Sequence, residues 1–250
     1  MKHYYKKLPA ILFLFVLSTN FYGCKKSKKE TPGFTCTSCK TIPDAKVENN
    51  SLSKGVYKGV VMGSTGVISI DIMNNGTGMQ ATMVLDGLTI NFTSTAVWTN
   101  GQPLVADFTA VSNSKTYSFR FTVAANGGSP AAGSFNIPDH PSIFFQLVKE
   151  TSDNLIKCYE GSTEGVKNSG AKQSGSLNVI VSSKTNTWIG LSRDAASNSS
   201  TVVSGTITGT VINCDCGPET TVKGTFSNDE IKGTYKGSDN SGTWSAKRTL

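Results

Sequence analysis

The chain has 250 residues, of which 37% are hydrophobic and 16% charged, and its formal net charge is +7. The positive charge is local: residues 1–33 hold seven lysines against one acid, while residues 34–250 hold 17 basic and 16 acidic side chains, a net charge of +1. A nucleic-acid reader needs a basic face on its folded part, and this balance excludes that class.

Lys2, Lys6 and Lys7 form a positive leader, and Leu8–Leu17 is a nearly unbroken apolar run of ten residues. A membrane-spanning helix needs roughly 20 such residues, so the run fits the apolar part of a secretory signal instead. Ser18-Thr19-Asn20 and then Phe21-Tyr22-Gly23-Cys24 follow. A small residue directly before a cysteine, behind such a leader, resembles the signal peptide of bacterial lipoproteins. With Phe21 standing where most of that family carries Leu, it is similar to the looser Bacteroidota type. The resemblance implies cleavage before Cys24, acylation of Cys24 with chains such as palmitate, and a place in the cell envelope, on the outer membrane. A single acyl chain holds only marginally, at about 0.8 kcal/mol per buried methylene, so stable anchoring rests on the several chains that the resemblance implies. Residues 1–23 are thus expected to be the signal peptide. Residues 24–51, with basic Lys25–Lys29 and the breakers Pro32, Gly33 and Pro43, are expected to be a flexible tether.

Residues 52–250 carry the signals of an all-β region. Ile68, Ile70 and Ile72 alternate with polar neighbours, as do Tyr117, Phe119, Phe121 and Val123, then Leu177, Val179 and Val181, then Ile207 and Val211 across Gly209. Period two is the mark of a strand with one buried face. Asn74-Asn75-Gly76, Asp86-Gly87, Asn100-Gly101, Asn126-Gly127-Gly128 and Asp239-Asn240 supply turns, because Asn, Asp and Gly accept positive φ. Lys149–Ile156 is the best stretch for a short helix. Gly224-Thr225-Phe226, Gly233-Thr234-Tyr235 and Gly242-Thr243-Trp244 recur nine residues apart, one strand and one tight turn each. Period two places each glycine on the same face as the aromatic. An inward glycine either lets an aromatic cover the backbone or leaves room for a ligand. The fold expected is an antiparallel, meander-rich barrel or sandwich. Val56-Tyr57-Lys58-Gly59 ahead of Gly66-Val67-Ile68 resembles Cys158-Tyr159-Glu160-Gly161 ahead of Gly175-Ser176-Leu177. That is compatible with two similar halves, 52–153 and 154–250, and equally with the monotony of β sequences.

Catalytic groups are sparse. His140, within Pro138-Asp139-His140-Pro141, is the single histidine after the leader. A Ser-His-Asp triad would have to use it, and a His-rich zinc site is excluded. Asp71, Asp86, Asp107, Asp194, Asp229 and Glu230 are candidates by type for paired glycosidase carboxylates, but no facing pair can be argued from the pattern. No phosphate loop or dinucleotide fingerprint appears, so no cofactor is expected. With Cys24 lipidated, Cys36, Cys39, Cys158, Cys214 and Cys216 form an odd set. Export favours disulfides; four thiolates on a metal and free thiols stay open. Trp98 and Trp188 are candidate platforms for stacking on a ligand, whereas Trp244 falls on the inner face. The function expected is a membrane-anchored envelope module that binds a glycan, lipid or protein, or has a structural role. A glycan hydrolase working through paired carboxylates is the alternative.

Overall fold

A computed structural model describes residues 33–250 apart from Asn228; the leader and Cys24 lie outside the described residues. The described residues fold into sixteen strands and one short 3-10 turn, Val47–Asn49. The first eight strands are β1 (Gly55–Met62), β2 (Gly66–Ile72), β3 (Met79–Leu85), β4 (Leu88–Ser94), β5 (Leu104–Ser112), β6 (Lys115–Val123), β7 (Ala131–Asn136) and β8 (Phe144–Glu150). The next eight are β9 (Ile156–Lys167), β10 (Lys172–Ser182), β11 (Thr187–Asp194), β12 (Ser200–Thr208), β13 (Val211–Cys214), β14 (Thr221–Ser227), β15 (Glu230–Lys236) and β16 (Asn240–Arg248).

Each set is an antiparallel meander whose last strand returns to its first. In the first, β8 pairs with β1, giving the order β7-β6-β5-β4-β3-β2-β1-β8. In the second, β16 pairs with β9 and every seam is laddered, so the barrel is closed. The first barrel stops one seam short, between β7 and β8. A register shift at Ser118/Arg120 bends the edge there, and the rings of Phe135 and Phe145 meet across the gap at 5.0 Å. Side chains fill the seam that the backbone leaves open, so little edge is left to recruit a foreign strand.

The alternation read from the sequence is realised: Ile68, Ile70, Ile72, Phe119, Phe121, Leu177, Val179 and Val181 all point inward and are buried. Two expectations are corrected. No helix forms over Lys149–Ile156: Lys149 and Glu150 finish β8, Thr151–Asn154 make a bridged turn, and Ile156 opens β9. Ile207 and Val211 do not share a strand, because Gly209 (φ +61°) turns the chain between β12 and β13.

The barrels pack wall to wall. Val60 and Met62 on the outside of β1 meet Ile156, Cys158, Ile180 and Leu191, so β1 is buried on both faces. Asn178 Nδ2 donates to Val61 O (2.6 Å) and Ser64 O (2.8 Å) across this contact. Glu150, fully buried, accepts from Lys58 Nζ at 2.7 Å, from Ile156 N at 3.1 Å and from Asp44 N at 2.7 Å. A buried charge needs such partners for its lone pairs, and here they come from both barrels and from the segment that precedes them.

That segment runs along one end of each barrel. Cys36 N donates to Asp229 Oδ2 at 3.0 Å, and Arg248 Nη2 donates to Lys40 O, both at the β14–β15 end of the second barrel. Further on, Asn49 is buried against Asn74. Ser53 accepts from Tyr57 Oη through its carbonyl and from Trp98 Nε1 through its hydroxyl, which plugs the first barrel from below.

Candidate functional site

Inward positions of the first barrel carry Met79, Met83, Phe92, Phe108, Tyr117, Phe119 and Phe121. Phe108 and Phe119 stack at 5.0 Å, and Phe92 meets Phe119 edge-on at 5.1 Å. Such rings bury about 150–250 Å² each and fill the interior. In the second barrel the same parity delivers glycine on strand after strand: Gly190, Gly205, Gly224, Gly233 and Gly242. Trp244 lies over Gly224 and Gly233, where a Cβ on either would collide with its ring. The first meaning of an inward glycine, cover by an aromatic, therefore holds. The indole covers two of them, and above it the lumen keeps a cavity of about 310 Å³.

The floor of the cavity is Leu177, Val179, Trp188, Ile212, Ile231 and Trp244. Below it, Tyr159, Val181, Ile207, Phe226 and Ala246 close the barrel. The mouth lies at the opposite end, where the hairpins β9–β10, β11–β12, β13–β14 and β15–β16 meet, and its wall is polar: Gln173, Ser192, Asp194, Thr201, Tyr235 and Asn240. Asn240 Nδ2 donates to Gln173 Oε1 at 3.1 Å, and Gln173 Nε2 reaches Asp194 Oδ2 at 3.5 Å. Asp194 Oδ1 accepts from Ala196 N, Ser197 N and Ser197 Oγ. Those donors, led by the Ser197 amide and hydroxyl, hold its carboxyl below the usual carboxylate range. Burial and the Asp194 charge together push the Tyr235 phenol up.

Of the residues singled out in the sequence, Trp188 lines this cavity, with its Nε1 donating to Asn213 O at 2.9 Å. Trp98 lies under the first barrel, half-buried, with the Lys54 ammonium 4.0 Å from the centre of its ring. Cys36 pairs with Cys39 and Cys214 with Cys216 in disulfides. Cys158 is a free, fully buried thiol between the barrels, and burial pushes it up to about 12. The sequence does not single out Asp194, Gln173, Asn240 and Tyr235 as a group. Their signal is polar residues at inward parity near strand ends, which has meaning only once the barrel's open end is known.

His140 does find an acid. Its Nε2 lies 2.8 Å from Asp86 Oδ2 and its Nδ1 3.0 Å from Pro138 O. The hydroxyls in this cluster, Ser64 Oγ and Thr65 Oγ1, bond to Asp86 and not to the imidazole. A triad needs the base between nucleophile and acid; here the acid is in the middle, so the cluster is not a triad and ties three hairpins together. Burial pushes the nearby Glu160 up, with the Asp86 charge adding to it.

Among the described residues no group of three or more His, Cys, Asp or Glu could hold a metal ion, and no helix is long and apolar enough to cross a membrane. No protein-family model matches the chain, and no curated protein matches it. Its fold is similar to that of a protein of unknown function from the DUF3598 family of Nostoc punctiforme. That similarity is 9% in sequence and covers 82% of this chain and 97% of the other, with a TM-score of 0.25. A likeness that distant carries no assignment of activity.

Proposed function

We propose that the protein is a membrane-anchored module of the bacterial cell envelope that binds a small molecule in its second barrel. The observation that carries the binding part is the lumen of that barrel, apolar at the floor and polar at the mouth, which is how small-molecule sites are built. The first barrel, filled with its own rings, is the scaffold. The anchoring part rests on the Gly23-Cys24 pattern and on lipid attachment at Cys24. Cys36 meets the fold at the β14–β15 turn, so the described chain enters at the closed end of the second barrel, opposite the mouth. The hydrolase alternative finds little support, since glycoside cleavage takes two facing carboxylates and, among the described residues, the lumen wall holds Asp194 alone.

Two measurements test this. Cys24→Ser should abolish incorporation of labelled palmitate and release the protein from the membrane fraction; retention of both label and membrane would remove the anchor. For the lumen, Val203→Trp should block uptake of a small apolar fluorophore that the unaltered chain takes up. Equal uptake by the two would put binding elsewhere.

A further inference from the structure

We infer that the second barrel selects a compact ring-bearing amine, its apolar body seated on Trp188 and Trp244 and its protonated nitrogen at the Asp194 carboxylate. The inference rests on the binding reading above and names the ligand class for that same lumen. Charge comes first: among the described residues Asp194 is the one ionised side chain in the cavity wall, with Tyr235 a neutral phenol. A carboxylate or phosphate headgroup would meet no cation in that wall and would face Asp194 across the mouth. Lys167, exposed at the tip of β9, is a cation whose field reaches Asp194. Exposed Lys172 and Lys236 stand at the same end, and Asp215, Glu219 and Asp239 in the loops around the mouth balance the three lysines.

The two oxygens of Asp194 are used unequally. Oδ1 takes three donors of its own turn, at 3.1, 2.7 and 2.7 Å. Oδ2 receives only the Gln173 amide at 3.5 Å, the weak limit for such a bond. Because Asn240 occupies Gln173 Oε1, the amide nitrogen of Gln173 is the end turned to Asp194. Oδ2 is thus an acceptor with capacity to spare, and a cationic donor is its strongest match.

The apolar part is equally constrained. Trp188 Nε1 is occupied by Asn213 O and Trp244 Nε1 by Thr234 O, so both indoles present ring surface and no donor. Ring surface of that kind suits an aromatic body and an adjoining cation. A cavity of about 310 Å³ is at the low end of the roughly 300–1,000 Å³ of small-molecule sites. That suits a single fused ring system better than a long acyl tail.

The test compares three probes with one body and different heads: 1-naphthylmethylamine, 1-naphthalenemethanol and 1-naphthoate, titrated calorimetrically into the full-length protein. The amine should bind about tenfold tighter than the alcohol, equivalent to roughly 1.4 kcal/mol, with naphthoate the weakest. Asp194→Asn, which keeps an acceptor oxygen for the turn, should bring the amine down to the level of the alcohol. Gln173→Glu, which adds a carboxylate to the same rim, should widen the preference for the amine. Equal binding of all three, or naphthoate the tightest, overturns the amine inference while the binding reading stands. A preference for the amine that survives Asp194→Asn overturns the role given to Asp194. If none of the three binds, the inference and the binding reading fall together.

Discussion

Gly59 of β1 faces inward between Ile68 and Leu147, and Gly161 of β9 faces inward between Leu177 and Ala246. Two residues earlier, Tyr57 and Tyr159 are both buried without exposure. The two barrels therefore begin on the same register, with the same strand order and the same closing pair of first and last strands. They part company in what the later strands send inward. The first sends phenylalanine and methionine; the second mixes its apolar residues with glycine on β11, β12, β14, β15 and β16 and with polar residues towards the mouth. Strand number sets the girth of a barrel, but these two show that side-chain volume at inward positions decides whether the girth encloses a core or a cavity.

The comparison breaks most readily at its filled end. Phe119→Ala removes a ring that touches Phe92 and Phe108 and should cost about 3–5 kcal/mol of stability in urea unfolding. A loss near zero would mean that the first barrel is also hollow. Breaking the joint between the barrels comes next. Glu150→Gln leaves the Lys58 ammonium buried with only Asp44, 3.3 Å away, and should cost about 3 kcal/mol. A third comparison adds volume instead of removing it. Ala106→Leu in the filled barrel should cost about 1–3 kcal/mol by overpacking. Val203→Leu, at the cavity wall, should stay within about 0.5 kcal/mol. Equal costs would contradict the difference in filling.

Two further effects depend on pH. Cys158 is held up to about 12 by burial, above its ordinary value near 9. Its contribution is therefore complete below pH 9 and is lost as pH rises towards 12, at up to about 1.4 kcal/mol per pH unit. Cys158→Ala should flatten the alkaline limb of the stability curve, and an unchanged limb would assign it to other groups. Burial works against the charge on His140, but the Pro138 carbonyl and the Asp86 carboxylate outweigh it and hold the imidazole above its ordinary value. Its contribution is complete below about pH 6.5 and fades as pH rises through that raised value. An NMR titration of this ring should put its midpoint above that of a model imidazole, and a midpoint below would deny the pair with Asp86.

Much of the wall was legible in the sequence, because alternation and turn chemistry act locally. The strands through Ile70, Phe119 and Val179 and the nine-residue repeat over β14–β16 needed nothing beyond period two. Where reading failed, a local signal had two meanings. A lone glycine amid alternating apolar residues reads as a strand interior, yet Gly209 turns the chain. Lys149–Ile156 has a helical look only because the end of one strand abuts the start of the next. The candidate site was half legible. Trp188 stood out by type, but Asp194 matters through Gln173 and Asn240, which lie far from it in sequence and meet it only when the barrel closes. Asp44 and Asn49 sit in a stretch with no apolar period, and their docking depends on Glu150 and Asn74.

That leading segment has a mechanical consequence. A tug on the N-terminal side of Gly33 would first load the bonds from Cys36 to Asp229 and from Arg248 to Lys40. It would next load the ion pairs of Asp44 and Glu150 with Lys58. These bonds sit at the sealed end of the hollow barrel and along the joint between the barrels. The hairpins that frame the mouth lie outside the load path, so tension along the chain would pass into the wall and leave the opening unstretched.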